Sequence, residues 1–366
     1  MRTRLFVIGI ILFFFSCGKK EKKTNHESVQ NITYDRIVID TVCVDIPNSS
    51  FNGFSGVYHE SIYFLDRFFG YFYEISLDGE ILDRHMGIGR AANEIPIKTP
   101  YAAVFDKNKL LLLGGTYDSY LFTNLTNRTK IDIKVSETSN TLEDSRVYTS
   151  FSEILRMNGD RFFYNIYSES TFANPVEHSN KYFNDAHIIM QVNIKTGEAK
   201  PLGHYSEYYH TNHGLVKHLF GINYDIDQQG NFIVSYQTDS LIYMYNNNFE
   251  PISIFGFEGK EMKKDYTESL PLWDDFNQAY KNDIKNKGYY YWLEHIEEGN
   301  YTFRSYQKDG VSEVDGLQIY KNNIMIADVC VPRHFKVIGY IAPFFFTQII
   351  CDEQNESMKF YKFRLE

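Results

Sequence analysis

The chain has little cysteine, tryptophan or proline, and each shortage closes a class of explanation. Four cysteines in 366 residues are too few for a disulfide-stapled scaffold. They stand at 17, 43, 330 and 351, and the nearest pair is twenty-one positions apart, so no zinc-knuckle spacing is written here. Basic charge is also short: Lys and Arg number 37 against 47 Asp and Glu, a formal net charge of −10. With no basic stripe beyond one short lysine cluster, nucleic acid is excluded as a partner. Gly-x-Ser-x-Gly elbows, His-Glu-x-x-His pairs and a Cys-His set in supporting context are all missing, so no catalytic residue is assigned. Nothing in the motifs implies a cofactor.

Long apolar runs are absent as well. The leading run, Leu5 to Phe15, has eleven residues, against about 20 for a membrane-spanning helix. Preceded by Met1-Arg2-Thr3-Arg4 and followed by Ser16-Cys17-Gly18, it has the basic, apolar and small-residue order of a secretory signal peptide. A cysteine directly after Phe14-Phe15-Ser16 resembles the bacterial lipobox, with Phe14 where Leu is usual. The expectation is therefore a signal peptide over residues 1–16, cleaved to leave Cys17 as the site of lipid attachment. The acyl chains, at about 0.8 kcal/mol per buried CH₂, would hold the protein on a membrane. Residues 17–33 are polar and read as a lipid-anchored flexible spacer. Removing residues 1–16 takes Arg2 and Arg4 away and moves the formal charge from −10 to −12.

What the chain does have is aromatics: 30 Phe and 29 Tyr against 2 Trp. They fall with Val, Ile and Thr in short runs closed by Gly, Asn and Asp turns, the way β-strands are written. Ser61–Asp66, Gly70–Ser76 and Ile81-Leu82 make the first such group, and similar groups recur at 109–122, 161–192, 231–245, 288–306 and 335–365. Six groups over residues 34–366 average about 55 residues each, close to the spacing of propeller repeats. The expected fold is all-β, a six-bladed β-propeller of four-stranded antiparallel blades. One stretch breaks the pattern. Between 261 and 287, Trp273, Phe276, Tyr280 and Ile284 recur at helical spacing, which predicts an inserted helix packing one stripe onto the propeller. The strand Arg36–Ile46 has no hairpin partner nearby, so it is expected to close the ring beside Lys359–Leu365. That would put Cys43 and Cys351 in one blade, with a bridge between them allowed only within about 7 Å.

Three segments carry candidate chemistry. Gly87-Ile88-Gly89-Arg90-Ala91-Ala92 matches a dinucleotide fingerprint, but Pro96 and Pro100 follow at once and forbid the helix that a pyrophosphate needs, so a blade-connecting loop is the better reading. Asp225-Ile226-Asp227 opens like a calcium loop, yet Tyr236 stands where the closing carboxylate belongs, and hairpin-turn chemistry accounts for it. The densest polar cluster runs from His204 to His213, with His218 nearby. Its imidazoles offer metal ligands in number but no identifiable geometry, and no metal site is assigned. Tyr205, Tyr208, Tyr209, His210 and His213 are the candidate ligand-binding residues, a stacking face with imidazole hydrogen bonds.

At Ile62–Asp66, Leu77-Asp78-Gly79-Glu80-Ile81-Leu82, Gly87-Ile88-Gly89 and Asn93-Glu94-Ile95-Pro96, and again at Phe360–Leu365, the chain resembles the six-bladed β-propeller lipoproteins of Bacteroidota, with NHL-like blades. Most members of that group are of unknown function. The resemblance implies the fold and a bacterial envelope location, and it brings no catalytic residues. Members sent to the cell surface tend to carry acidic residues after the lipid cysteine. Gly18-Lys19-Lys20 stands here instead, which points to the periplasmic side of the outer membrane. Two functions of different class remain: a binding scaffold for a glycan, peptide or protein partner, and a polysaccharide-active lyase or hydrolase.

Overall fold

The computed structural model describes residues 25–26, 28–97, 99–114, 118–135, 146–149, 154–169, 174–210 and 218–365. The signal segment, Cys17 and His213 lie outside them. No helix among the described residues is long and apolar enough to cross a membrane.

Six antiparallel sheets form a ring, in the order expected from the strand groups. Their inner strands are Gly53–Tyr58, Ala102–Asp106, Leu155–Asn158, Ile222–Ile226, Tyr289–Ile296 and Val337–Ile341, for blades 1 to 6. Each inner strand packs against those of the two adjacent blades and so lines a central channel. Arg36–Ile46 closes the ring as expected. Its strand Val38–Val44 runs antiparallel to Ser357–Arg364 as the outer strand of blade 6, with Cys43 opposite Lys359. Cys351 pairs with Met358 on the other side of that same strand. Two strand spacings of about 4.8 Å therefore separate the two cysteines. All three described cysteines are free, which corrects the allowance for a bridge.

The core explains the composition. A middle strand in a propeller blade has a neighbouring blade on each face, so both sets of alternating side chains are buried and the strand reads as an unbroken apolar run. In Ser61–Asp66 every residue is buried. Ile62 and Phe64 face blade 6 among Val42, Phe346 and Phe360, while Tyr63 and Leu65 face blade 2 among Leu110, Leu112 and Phe122. Six such clusters occur, one at every blade interface. Their gaps are filled by flat rings, and two of the buried tyrosines reach backbone carbonyls with their hydroxyls: Tyr236 donates to His204 O at 2.9 Å and Tyr290 to Phe257 O at 3.1 Å.

Two sequence expectations change. Residues 17–33 are not spacer throughout: Asn25–His26 runs parallel to the outer strand of blade 4, and Val29–Tyr34 runs parallel to that of blade 5. A polar segment that cannot form a core can still complete the hydrogen-bond ladder of an exposed sheet edge. The inserted helix is Trp273–Asn286, and its stripe divides. Phe276 and Ala279 are buried, whereas Trp273 and Tyr280 stay exposed and the buried acid Asp283 takes a place no apolar pattern signals.

Candidate ligand-binding mouth of the channel

The site begins with chain direction. Every inner strand starts at the same end of the ring, so that end gathers the first residues of six strands and the loops that carry the chain between blades. The inserted helix belongs to one of these loops, between blades 4 and 5, and lies over the mouth. A cavity of about 620 Å³ opens between helix and ring, within the range of small-ligand sites. Trp273, Phe276, Asn277 and Tyr280 form its helical wall, while Tyr291 and Trp292, at the start of the blade 5 inner strand, face them. Both tryptophans of the chain are thus in one cavity. Asn223 and Gln237 add amides. Gln237 Oε1 already accepts the Gly221 N–H at 2.8 Å, which leaves its NH₂ as the group it offers. Lys336 Nζ lies 5.1 Å from the Trp292 ring centroid, and no carboxylate is among the described lining residues.

A buried hydrogen-bonded pair holds the wall in place. His218 Nε2 meets Asp283 Oδ2 at 2.9 Å, and Asp283 also accepts from the Thr267 N–H, the Thr267 hydroxyl and Asn282 Nδ2. Burial pushes the Asp283 carboxyl upward, but the hydrogen bonds from Thr267, His218 and Asn282 outweigh it and leave the group below the ordinary carboxylate range. An anion buried with that many donors fixes the helix's register over the mouth.

Beneath Trp292 the channel is plugged. Arg156, on the blade 3 inner strand, donates from Nε to Asp225 Oδ1 of blade 4 at 2.9 Å and from Nη2 to Glu294 Oε2 of blade 5 at 2.7 Å. Its guanidinium lies 5.4 Å from the Trp292 centroid. One cation meets two acids in a buried place, an arrangement that favours a proton on one of them. Desolvation accordingly pushes the Glu294 carboxyl above its ordinary value, against the pull of Arg156, with Asp225 adding to the rise. A second, smaller cavity of about 170 Å³ adjoins the plug, lined by Arg156 and Glu294 together with Phe54, Tyr63, Phe105 and Gln348.

The residues singled out from sequence do not assemble as a face. Tyr205 and Tyr209 are buried in the core between blades 3 and 4, packed on Phe183, Tyr236 and each other. The Tyr209 hydroxyl is spent on Leu219 O and Thr238. Of the four described residues of the set only Tyr208 is exposed, and the half-buried His210 is turned back onto Tyr205 O at 3.1 Å. The His187 and His204 rings lie 4.5 Å apart at a tilt of 33°, and burial, followed by electrostatic repulsion between the two rings, lowers the His187 pKa. Among the described residues no three metal-ligating side chains come together. The Asp225 segment is a hairpin turn, with Asp227 accepting from Asn231 N and Nδ2, while Asp225 itself faces the channel. Gly87–Ile95 is a loop stitched by an Ile88–Ile95 bridge, with Gly87 at φ 136°. Sequence reading missed Arg156 and Glu294, took Asp225 for a turn residue only, and set His218 beside a histidine cluster rather than against Asp283. The one signal it held was Trp273 and Tyr280 on a helix that interrupts a β repeat.

Fold and channel define the class: a six-bladed β-propeller with a helix-roofed mouth. Among solved structures, it shares this fold with a member of the DUF4221 family from Bacteroides vulgatus, at TM-score 0.63 and 11% identity over 90% of this chain and 98% of that one. A Bacteroides thetaiotaomicron protein of unknown function matches at TM-score 0.43 and 11% identity over 89% of this chain and 76% of that one. The virginiamycin B lyase of Staphylococcus aureus matches at TM-score 0.44 and 9% identity over 90% of this chain and all of that one. No family model and no curated protein matches the sequence.

Proposed function

We propose that the protein is an exported, lipid-anchored β-propeller that binds a glycan at the helix-roofed mouth of its channel, in the envelope of a bacterium. The observation that carries this reading is the 620 Å³ cavity holding both tryptophans. Aromatic plates on opposite walls suit the apolar faces of sugar rings, and the amides of Asn223, Gln237 and Asn277 suit hydroxyls that both donate and accept. Among the described lining residues no carboxylate offers a cationic ligand a partner. Lipid on Cys17 and residence on the periplasmic side of the outer membrane rest on the leader sequence and on Gly18-Lys19-Lys20.

Intrinsic tryptophan fluorescence tests the binding reading directly, because Trp273 and Trp292 are the whole of that signal. Titration with panels of oligosaccharides and of peptides should give a saturable change with at least one sugar. No response to any sugar, or a response to peptides alone, would sink the glycan reading.

One observation favours the alternative, a polysaccharide-active enzyme: Glu294 is an acid kept protonated above the ordinary carboxylate range beneath the mouth. Its Oε2 is engaged by Arg156 and it is not among the residues of the upper cavity, which places binding ahead. Release of new reducing or unsaturated ends from a bound polysaccharide would reverse that order.

A further inference from the structure

From Asn25 onward the stretch between the proposed lipid cysteine and the first blade does not hang free of the propeller. It is zipped onto the rim. Asn25 and His26 pair with Ser253 and Ile254 on blade 4, the Ser28 hydroxyl donates to Gly256 O at 2.8 Å, and Val29 and Gln30 pair with Ile324 and Met325 on blade 5. The chain then enters blade 6 at Val38. It therefore passes around the outside of three successive blades, like a belt, before the propeller proper begins.

Length makes this consequential. From Cys17 to Asn25 there are eight residue steps, and a fully extended chain covers at most about 28 Å over that distance. The point where the belt begins is the outer edge of blade 4, so that edge is the part of the propeller tied down. The surface there is suited to the position. Val29, Ile32, Ile252 and Ile324, exposed by 46%, 50%, 43% and 37%, stand on the added strand and on the outer strands of blades 4 and 5. The intervening tether carries Lys19, Lys20, Lys22 and Lys23, whose charges favour anionic headgroups.

Building on the lipid-anchored reading, we infer that the rim of blades 4 and 5 is a membrane-contact surface, and that the propeller rests edge-on against the bilayer that holds its acyl chains. Blade strands run along the channel axis. Contact through a rim therefore lays that axis in the membrane plane, and the tryptophan-lined mouth opens sideways, neither into the lipid nor away from it. A ligand strung along the membrane surface could enter the mouth without the propeller tipping over.

Hydrogen exchange read by mass spectrometry tests this on the full lipidated chain, in vesicles of phosphatidylethanolamine and phosphatidylglycerol and in detergent. Amides in 28–34, 250–254 and 321–325 should exchange several-fold more slowly on vesicles. Those in 81–86 and 127–132, on the opposite rim, should be the same in both. Ile32→Asn combined with Ile252→Asn changes exposed side chains only, and it should erase the difference while the protein still floats with the vesicles. Equal exchange on the two rims of a floating, acylated protein would overturn the edge-on contact and leave the anchor standing. Slower exchange on blades 1 and 2 would overturn it too. A chain without acyl groups on Cys17 would remove the anchor reading itself, and the contact with it.

Discussion

Replacing Arg156 by Met tests the channel plug most sharply, because it removes the cation and keeps most of the volume. Asp225 is then left with two backbone donors, Ile226 N at 2.8 Å and His295 N at 2.7 Å. Glu294 loses its one side-chain partner in the plug. Taking one member from a buried ion pair costs about 3–5 kcal/mol, since the acids left behind lose the cation that offsets their burial. A folded domain of about 330 residues, with an unfolding entropy of about 2.1 cal/mol/K per residue, converts this into a Tm lower by roughly 4–7 °C. The sign of the pH dependence follows from Glu294. Its carboxyl is pushed above the ordinary 4.5 by burial, so the folded state binds the proton more tightly than the unfolded chain. The stabilisation from that proton is complete below about pH 4.5 and is lost as pH rises through the folded-state value. Without Arg156 the carboxyl moves further up, so the deficit of the variant should be smaller at pH 5 than at pH 7.5. Adding Glu294→Gln should restore most of the lost stability and flatten the pH dependence. Differential scanning calorimetry at the two pH values reads all three variants. A Tm within 1 °C of wild type, or a double variant as unstable as the two single changes added together, would refute the lost-cation account.

Changing Trp273 to Ala should abolish most of the sugar-dependent fluorescence and weaken binding by about tenfold, an aromatic stacking contact being of order 1 kcal/mol beyond area burial; calorimetric titration that finds unchanged affinity would count against the mouth as the site. Asp283→Ala strands His218 and frees the helix from Thr267, so proteolysis between 260 and 290 should accelerate while the rest of the ring stays resistant. Deleting residues 34–46 removes Val42, Val44 and Ile46 from the core between blades 6 and 1 and bares a long sheet edge, so no cooperative thermal transition should remain. In thiol titration, Cys43 and Cys330 should react quickly and Cys351 slowly, because burial, with Asp66 nearby, pushes its thiol up to about 12. Cys17→Ser should leave the chain without acyl label in membrane fractions; equal labelling would end the lipid-anchor proposal.

Much of the architecture was legible because it depends on local pattern. A strand flanked by blades on both faces is buried at every position and is therefore mostly apolar, as Ile62–Leu65 and Phe232–Val234 are without a break. The unpartnered strand Arg36–Ile46 announced ring closure for a similarly simple reason, since a sheet edge that long needs a partner. Turn chemistry likewise placed Gly87–Ile95 and Asp227–Asn231 in loops.

The candidate site was not legible, and the reason is distance along the chain. Arg156 meets its acids 69 and 138 positions away, and His218 meets Asp283 across 65. No local periodicity records such partners, because a charged residue on an inner strand looks like any solvated one until the ring closes around it. Clustering in sequence misled in the opposite direction: Tyr205 and Tyr209 are close neighbours in the chain, yet both point into the core between two blades. The sequence by itself determined the blades, their number and their closure, since those follow from which residues avoid water. Only the tertiary structure decided which side chains share the channel, because six strand beginnings drawn from the whole chain converge at one mouth.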